Sequence, residues 1–311
     1  MAKIFIATPA KPGARSGNLH TATRWAAMLR SAGHRVQVGL KWQGERSDLL
    51  IALHARRSHD SVRRYPGARI VVLTGTDLYK DLPDSVEAEE SLRLADRLIV
   101  LQEDAAKKLI PSVKRKTTVV YQSSDTRLRH RPPAQPFRIA VVGHLREVKD
   151  PFRAALALAH LPGRPLEVVH LGNALEEGYA EQAKQLMARE PRYRWLGGMT
   201  HAKALGWMAK SHVLVVSSVM EGGANVVAEA ARIGTPVIAS HVSGNIGMLG
   251  ADYPGYFPLT DDAALAKLLE RAASDAKWYR SLKSALRARR KLFAPAAERA
   301  SLAAVVREVV H

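Results

Sequence analysis

The stretch that decides the fold is Val213-Leu-Val-Val-Ser-Ser-Val-Met-Glu221-Gly-Gly-Ala-Asn225-Val-Val-Ala-Glu229-Ala-Ala-Arg-Ile-Gly234-Thr-Pro-Val-Ile-Ala-Ser240. It opens with Val213 to Val216, an apolar, β-branched run of the length of a buried parallel strand. A loop follows in which Gly222 and Gly223 let backbone amides approach a ligand. Asn225 is expected as the N-cap of a helix over Val226 to Ile233, with Gly234 as its C-cap and Pro236 as the stop. Val237 to Ser240 read as the next strand. A glycine-rich loop at a strand's C-terminal end, with a helix N-terminus behind it, suits an anion or a nucleotide. Seven residues separate Glu221, in the loop, from Glu229, about one turn into the helix. Taken alone, the two glutamates read as a surface carboxylate and a helix-supporting one. With the glycines, the cap and the Gly-Thr-Pro turn, they read instead as groups for sugar and ribose hydroxyls.

The rest of the chain repeats this alternation. Strands are expected at Lys3 to Thr8, Arg35 to Gly39, Asp48 to His54, Arg69 to Leu73, Leu98 to Leu101 and Thr117 to Tyr121. A helix over Leu19 to Ala32 is closed by Gly33. Residues 125–136 are polar, basic and proline-containing, and read as a linker. The pattern restarts at Phe137 to Val142 and continues through Leu166 to His170, Tyr193 to Trp195, Val213 to Val216 and Val237 to Ser240. Helices are expected at Pro151 to His160, Tyr179 to Glu190, across most of Asp262 to Arg290, and from Pro295 to the end. The fold class is therefore α/β, with two Rossmann-like, doubly wound parallel-sheet domains at 1–124 and 137–294 facing across a cleft.

Composition sets the outer limits. The 311 residues suffice for two domains, and 47% of them are hydrophobic. With no cysteine there is no disulfide, thiolate nucleophile or cysteine-ligated metal. This suits a reducing cytoplasm, and the opening Met1 to Thr8 reads as a strand, not a signal peptide. No apolar run spans a bilayer, so no stable membrane insertion is expected. The net charge of +18 attracts anions. Its arginines are scattered with little aromatic interleaving, which argues for a general anion-attracting field and against specific nucleic-acid binding.

Glu221-Gly-Gly-Ala-Asn-Val-Val-Ala-Glu229, followed by Gly234-Thr-Pro-Val, resembles the E-x7-E signature of the GT-B glycosyltransferases that use nucleotide sugars. The resemblance implies that Glu221 contacts the donor sugar and Glu229 the ribose, with Gly222, Gly223, Ala224 and Asn225 giving amides to sugar and diphosphate. It also implies that the last helix, 295–311, packs back on the first domain. Gly143-His-Leu-Arg-Glu-Val-Lys149 resembles the family's Gly-Arg-Leu-x-x-x-Lys loop, whose cations neutralise the leaving diphosphate in place of a metal. Lys149 fits; His144 stands at the usual arginine position, and Arg146 is the substitute two residues on. Leu196-Gly-Gly198-Met199 matches the loop that holds the nucleobase.

In the first half, Arg15-Ser16-Gly17-Asn18 follows strand one, His54-Ala-Arg-Arg57 strand three, and Thr74-Gly75-Thr76-Asp77 strand four. All lie at strand C-termini, where an acceptor is expected; each is otherwise an ordinary turn, and Thr76 or Asp77 a helix cap. Together with Gly222 to Asn225, the stretches Thr8 to Asn18, Leu53 to Ser58 and Leu73 to Asp81 look like the selenosugar synthases of selenoneine biosynthesis. That resemblance implies transfer from a UDP-sugar, UDP-GlcNAc or UDP-glucose, to selenophosphate, with release of UDP and then of phosphate. It implies no metal and no cofactor. The alternatives are a conventional GT-B glycosyltransferase with a carbohydrate or lipid acceptor, and a non-catalytic anion or nucleic-acid binder on the same fold.

Overall fold

The computed structural model describes residues 1–10, 17–82 and 84–310. The chain forms two compact units, Met1–Ser123 with Ala294–His311, and Ser124–Phe293.

The first unit holds β1 (Lys3–Ala7), β2 (Arg35–Gly39), β3 (Leu49–Leu53), β4 (Ala68–Leu73), β5 (Arg97–Val100) and β6 (Thr117–Val119) in one sheet, ordered β2-β1-β3-β4-β5-β6. Every pair is parallel. Alternation along each strand sends side chains to two separate cores. Ile4, Ile6, Leu49, Ile51 and Leu53 pack on Trp25, Leu29, Leu302 and Val305. Phe5, Ala7, Leu50 and Ala52 pack on the opposite face with Tyr65, Ala88 and Leu92. Burial on both faces explains why β3 reads as an unbroken apolar run. The last helix, Pro295–Arg307, starts with proline at a position where the missing N–H costs nothing. It joins the first core through Leu302, Val305 and Val306.

The second unit holds β7 (Phe137–Val142), β8 (Leu166–Leu171), β9 (Tyr193–Trp195), β10 (Val213–Val216), β11 (Val237–Ser240) and β12 (Tyr256–Phe257). Their order is β12-β11-β10-β7-β8-β9, again all parallel. Starting from β7, the chain winds outward through β8 and β9, then returns to β7's other side with β10. The strand order therefore reverses between β7 and β10, and the loops after these two strands flank the crevice where such sheets bind ligands.

The deciding stretch folds as strand, loop, helix and strand. One expectation is corrected: Asn225 is not the N-cap. The helix runs Asn225–Ile233 with extended Ala224 as its N-cap, which makes no side-chain cap bond. The Ala224 carbonyl already accepts from Val227 and Ala228 N–H, so the chain turns helical one residue early. Gly234 closes the helix in the left-handed region, φ 96°, its N–H donating to the Ala230 carbonyl. Asp262 to Arg290 is two helices, Asp262–Ser274 and Ala276–Arg289, each led by an aspartate whose side chain accepts a backbone N–H.

Candidate functional site

In the second unit, the loops following β7, β8, β9 and β10 meet. Gly143 leaves β7 with its N–H on the Leu171 carbonyl. A Cβ on Gly172 would lie 1.9 Å from the Gly143 carbonyl oxygen, and Gly172 has φ 156°. That approach requires glycine. His170 is fully buried beneath, between the Gly143 carbonyl at 3.2 Å from Nε2 and the Tyr193 hydroxyl at 3.0 Å from Nδ1. Burial pulls its pKa down to about 4, so it stays neutral, donating to Gly143 and accepting from Tyr193. His144 Nδ1 accepts from Asn173 N–H at 3.1 Å. Asn173 also takes the Leu145 N–H on its carbonyl, and its side chain fills the space a Cβ on Gly198 would need, 1.7 Å away. The Gly198 and Met199 loop is thereby fixed beside the β7 loop; the Gly197 carbonyl accepts from Gly172 N–H.

The two glycine loops at the switch point are bound to one another. Val219 N–H donates to the Val148 carbonyl, and Ser217 Oγ to the Lys149 and Asp150 carbonyls. Lys149 Nζ reaches Glu221 Oε1 at 2.6 Å, and Ser218 Oγ donates to the same oxygen at 2.6 Å. Glu221 is buried, 8% exposed, and its Oε2 has no hydrogen-bond partner among the described residues. Its backbone is pressed against Gly244, where a Cβ would lie 2.0 Å from the Glu221 carbonyl oxygen. Behind Ser218, Ser240 Oγ donates to the Ser218 carbonyl and Asn245 Nδ2 holds Ser240. The carboxylate thus sits on a braced loop with one oxygen committed and one open.

Arg146 is not brought to this pair. Its Nε lies 3.5 Å from Glu176 Oε1, and both side chains are exposed. Gly222, Gly223 and Ala224 lie between Glu221 and the helix. Glu229, on the second turn of that helix and 7% exposed, faces His201: Nε2 to Oε1 is 2.7 Å. His201 is the first residue of the helix His201–Ala209, whose cap Thr200 accepts from Lys203 N–H.

In the first unit, Arg15 and Ser16 lie outside the described residues. Gly17 and Asn18 open the helix Gly17–Ser31. His54 stands at φ 76°, a left-handed conformation that costs a non-glycine residue. It is 1% exposed. Arg57 N–H donates to its Nδ1, so the ring proton sits on Nε2 and donates to Thr76 Oγ1 at 3.0 Å. Burial lowers its pKa, against the opposing pull of Asp77. Asp77 is a correction to the expected acceptor residues: fully buried, it accepts from Thr74, Gly75, Leu78 and Ala55 N–H groups. It organises the loop and offers no oxygen outward. It does not cap by side chain either: the following π-helical turn Asp77–Asp81 has Thr76 as N-cap, without a side-chain cap bond. Asp81, absent from the expected set, is 3.7 Å from His54 Nε2 and 3.1 Å from Arg56 Nη1.

His201, Ser218, Asn173 and Gly244 also escaped the sequence reading. Ser218, three residues before Glu221, was readable; the other contacts span more than twenty residues. Among the described residues, no group of three His, Asp or Glu side chains is placed to hold a metal ion. None of the described helices is long and apolar enough to cross a membrane.

The sequence profile of the family described as glycosyl transferases group 1 matches residues 122–289. No curated protein matches the chain. Among solved structures, Anabaena Alr3699/HepE in complex with UDP-glucose is similar with TM-score 0.80 at 16% identity, covering 99% of this chain and 100% of that one. Sucrose-phosphate synthase from Thermosynechococcus elongatus gives TM-score 0.79 at 18% identity, with 98% of both chains covered. The lipopolysaccharide outer core galactosyltransferase WaaB in its apo form gives 0.72 at 14%, covering 98% of this chain and 99% of that one.

Proposed function

We propose a donor, a reaction and an acceptor for this chain from one premise: it belongs to the glycosyl transferases group 1. It is a glycosyltransferase of GT-B fold, built of two Rossmann-like domains. The donor is read as a UDP-sugar, UDP-glucose or UDP-GlcNAc. The observation that carries this is the Lys149–Glu221–Ser218 cluster at the β7/β10 switch point, with Glu229 one helical turn behind. In this reading Glu221 Oε2 accepts a sugar hydroxyl, and Glu229 takes the ribose hydroxyls with His201 holding its other oxygen. Gly143 and the Gly222 to Asn225 amides approach the diphosphate. The Gly198 and Met199 loop borders the base. Lys149 stabilises the charge that develops on the leaving UDP, without a metal. His144, its Nδ1 accepting from Asn173 N–H, borders the loop, and Arg146 contributes long-range positive charge.

The finer reading is selenosugar synthesis, supported by the resemblance of Leu53 to Ser58 and Leu73 to Asp81. Selenium of selenophosphate attacks the anomeric carbon, the carbon–oxygen bond to the diphosphate breaks, and its electron pair leaves with UDP. Water then cleaves the Se–P bond, giving selenosugar and phosphate. An anionic selenium needs no general base, which suits a His54 that is buried and already donating to Thr76. The proposed acceptor region is Arg15 to Asn18, His54 and Thr74 to Thr76, and the proposed setting is the cytoplasm. Incubation with a panel of UDP-sugars and selenophosphate, with chelator and no added metal, is read by mass spectrometry. Selenosugar plus UDP is expected. UDP-sugar turnover with water or carbohydrate alone sinks the selenium reading and keeps the transferase; no UDP binding at all sinks both.

A further inference from the structure

Away from the donor loops, the second unit gathers positive charge with no carboxylate paired to it among the described residues. Arg129 lies on the segment before β7, where the following residue, His130, donates its N–H to the Ile233 carbonyl. Arg232 is in the last turn of the Asn225–Ile233 helix. Arg287 lies in the last turn of the Ala276–Arg289 helix and Arg290 is its C-cap, with the Arg290 N–H on the Arg287 carbonyl. Lys283, Arg287 and Arg290 follow one another at four and three residues, so one helix face carries all three. None of the four arginines makes an ion pair among the described residues. Burial, and after it the positive charges of Arg232, Arg129 and Arg287, lower the Arg290 pKa. His130 beside them is pulled to about 4 by burial and by Lys283. Nε of Arg232 and Nε of Arg290 are both buried with no hydrogen-bond partner.

Arg232, Arg287 and Arg290 stand at helix C-termini, where the dipole favours each cation singly, but no carboxylate among the described residues offsets their mutual repulsion. Like charges repel, and a buried guanidinium N–H without an acceptor loses its solvation uncompensated. Each is relieved by one species, a compact multivalent oxyanion, for which the planar donor fork of arginine is suited. We propose that Arg129, Arg232, Arg287 and Arg290 form a second anion site, for a soluble phosphate group such as inorganic phosphate or a phosphomonoester. Arg232 is three residues beyond Glu229 on the same helix, so the arginine cluster lies at that helix's C-terminal end and the anion is held by the guanidinium groups, not by the helix dipole. The site is independent of the donor reading: its residues share none with the Lys149–Glu221 cluster.

The test is thermal unfolding of the full chain in sodium phosphate against sodium chloride at matched ionic strength. Three proteins are compared: wild type, Lys149→Met, and the double variant Arg287→Gln with Arg290→Gln. Phosphate at roughly a hundredfold over its Kd is expected to raise the wild-type midpoint by roughly 5–10 °C. Lys149→Met keeps the rise, whereas a phosphate bound in the donor loops would lose it in that variant. The arginine variant loses the rise, and in phosphate-free buffer melts higher than wild type because the repulsion is gone. An equal response to chloride and phosphate overturns the site, as does a rise that survives in the arginine variant or disappears in Lys149→Met. Sedimentation with phosphatidylglycerol vesicles separates the two sources of phosphate. Binding to vesicles that only the arginine variant loses reassigns the cluster to a lipid surface and overturns the soluble-anion assignment.

Discussion

Lys149 and Glu221 form a contact whose two halves come from different loops, 72 residues apart. Removing the lysine leaves a buried carboxylate holding only Ser218, and removes the cation nearest the proposed leaving group. Lys149→Met is expected to lower kcat about 10²–10³-fold, the usual cost of one preorganised charge-stabilising group, while UDP affinity changes less; steady-state kinetics with calorimetry on UDP would separate the two. Glu229→Ala is expected to do the reverse, weakening UDP by about 10–100-fold through loss of hydrogen bonds to a charged acceptor. His201 is 54% exposed at its side chain, so its pair with Glu229 is of surface strength, and His201→Ala should weaken UDP only a few-fold. Unchanged UDP affinity in Glu229→Ala removes the ribose role. That Glu221 falls in the loop and Glu229 on the helix was legible because loop and spacing are local. His201 was not, because nothing in a chain written in order says which helix start will fall beside Glu229.

Among the elements, glycines decide how closely the loops approach. A Cβ on Gly244 would meet the Glu221 backbone oxygen, which no rotamer change can move aside. Gly244→Ala is therefore expected to cost about 1–3 kcal/mol in urea unfolding and, by displacing Glu221, to depress turnover well beyond that loss of stability. Gly206, in the middle of the His201–Ala209 helix, has nothing within 4 Å of its would-be Cβ. Gly206→Ala should stabilise by about 0.5–1 kcal/mol and leave turnover unchanged. If both substitutions act alike, the close packing of the Glu221 loop is not what positions it. Elements of this kind were largely readable: β2, β7, β9, β10 and β11 begin and end where strands were expected. The misses have local causes. β12 is two residues long, too short for any period to register. The Asn225 cap failed because the Ala224 carbonyl starts the helix first.

Over the whole molecule, the chain's last helix is secured to the first unit by a carboxylate that is nearly out of water. Glu298, 1% exposed, accepts from Arg24, from Trp25 Nε1 at 2.7 Å, and from Ser123 N–H and Oγ. Glu298→Ala leaves a guanidinium and three donors without their acceptor and should cost about 3–5 kcal/mol, read from chemical unfolding. The same scale carries the response to acid. His170 and His130 are held near 4 by burial, and His54 and His212 are also lowered. An unfolded histidine takes its proton near 6.5, while these refuse it in the fold. Their stabilisation is therefore complete above about pH 6.5 and is lost as pH falls, for His170 and His130 toward about 4, the opposite of a histidine paired with a carboxylate. For His170 alone the loss amounts to about 3 kcal/mol. Urea unfolding between about pH 7 and about pH 4.5 should show stability falling throughout. In His170→Asn, which cannot titrate, the slope should be shallower by up to ~1.4 kcal/mol per pH unit. A variant slope equal to that of the wild type would mean that the ring between Gly143 and Tyr193 is already protonated in the folded protein, and that the β7 loop is not held by a neutral donor.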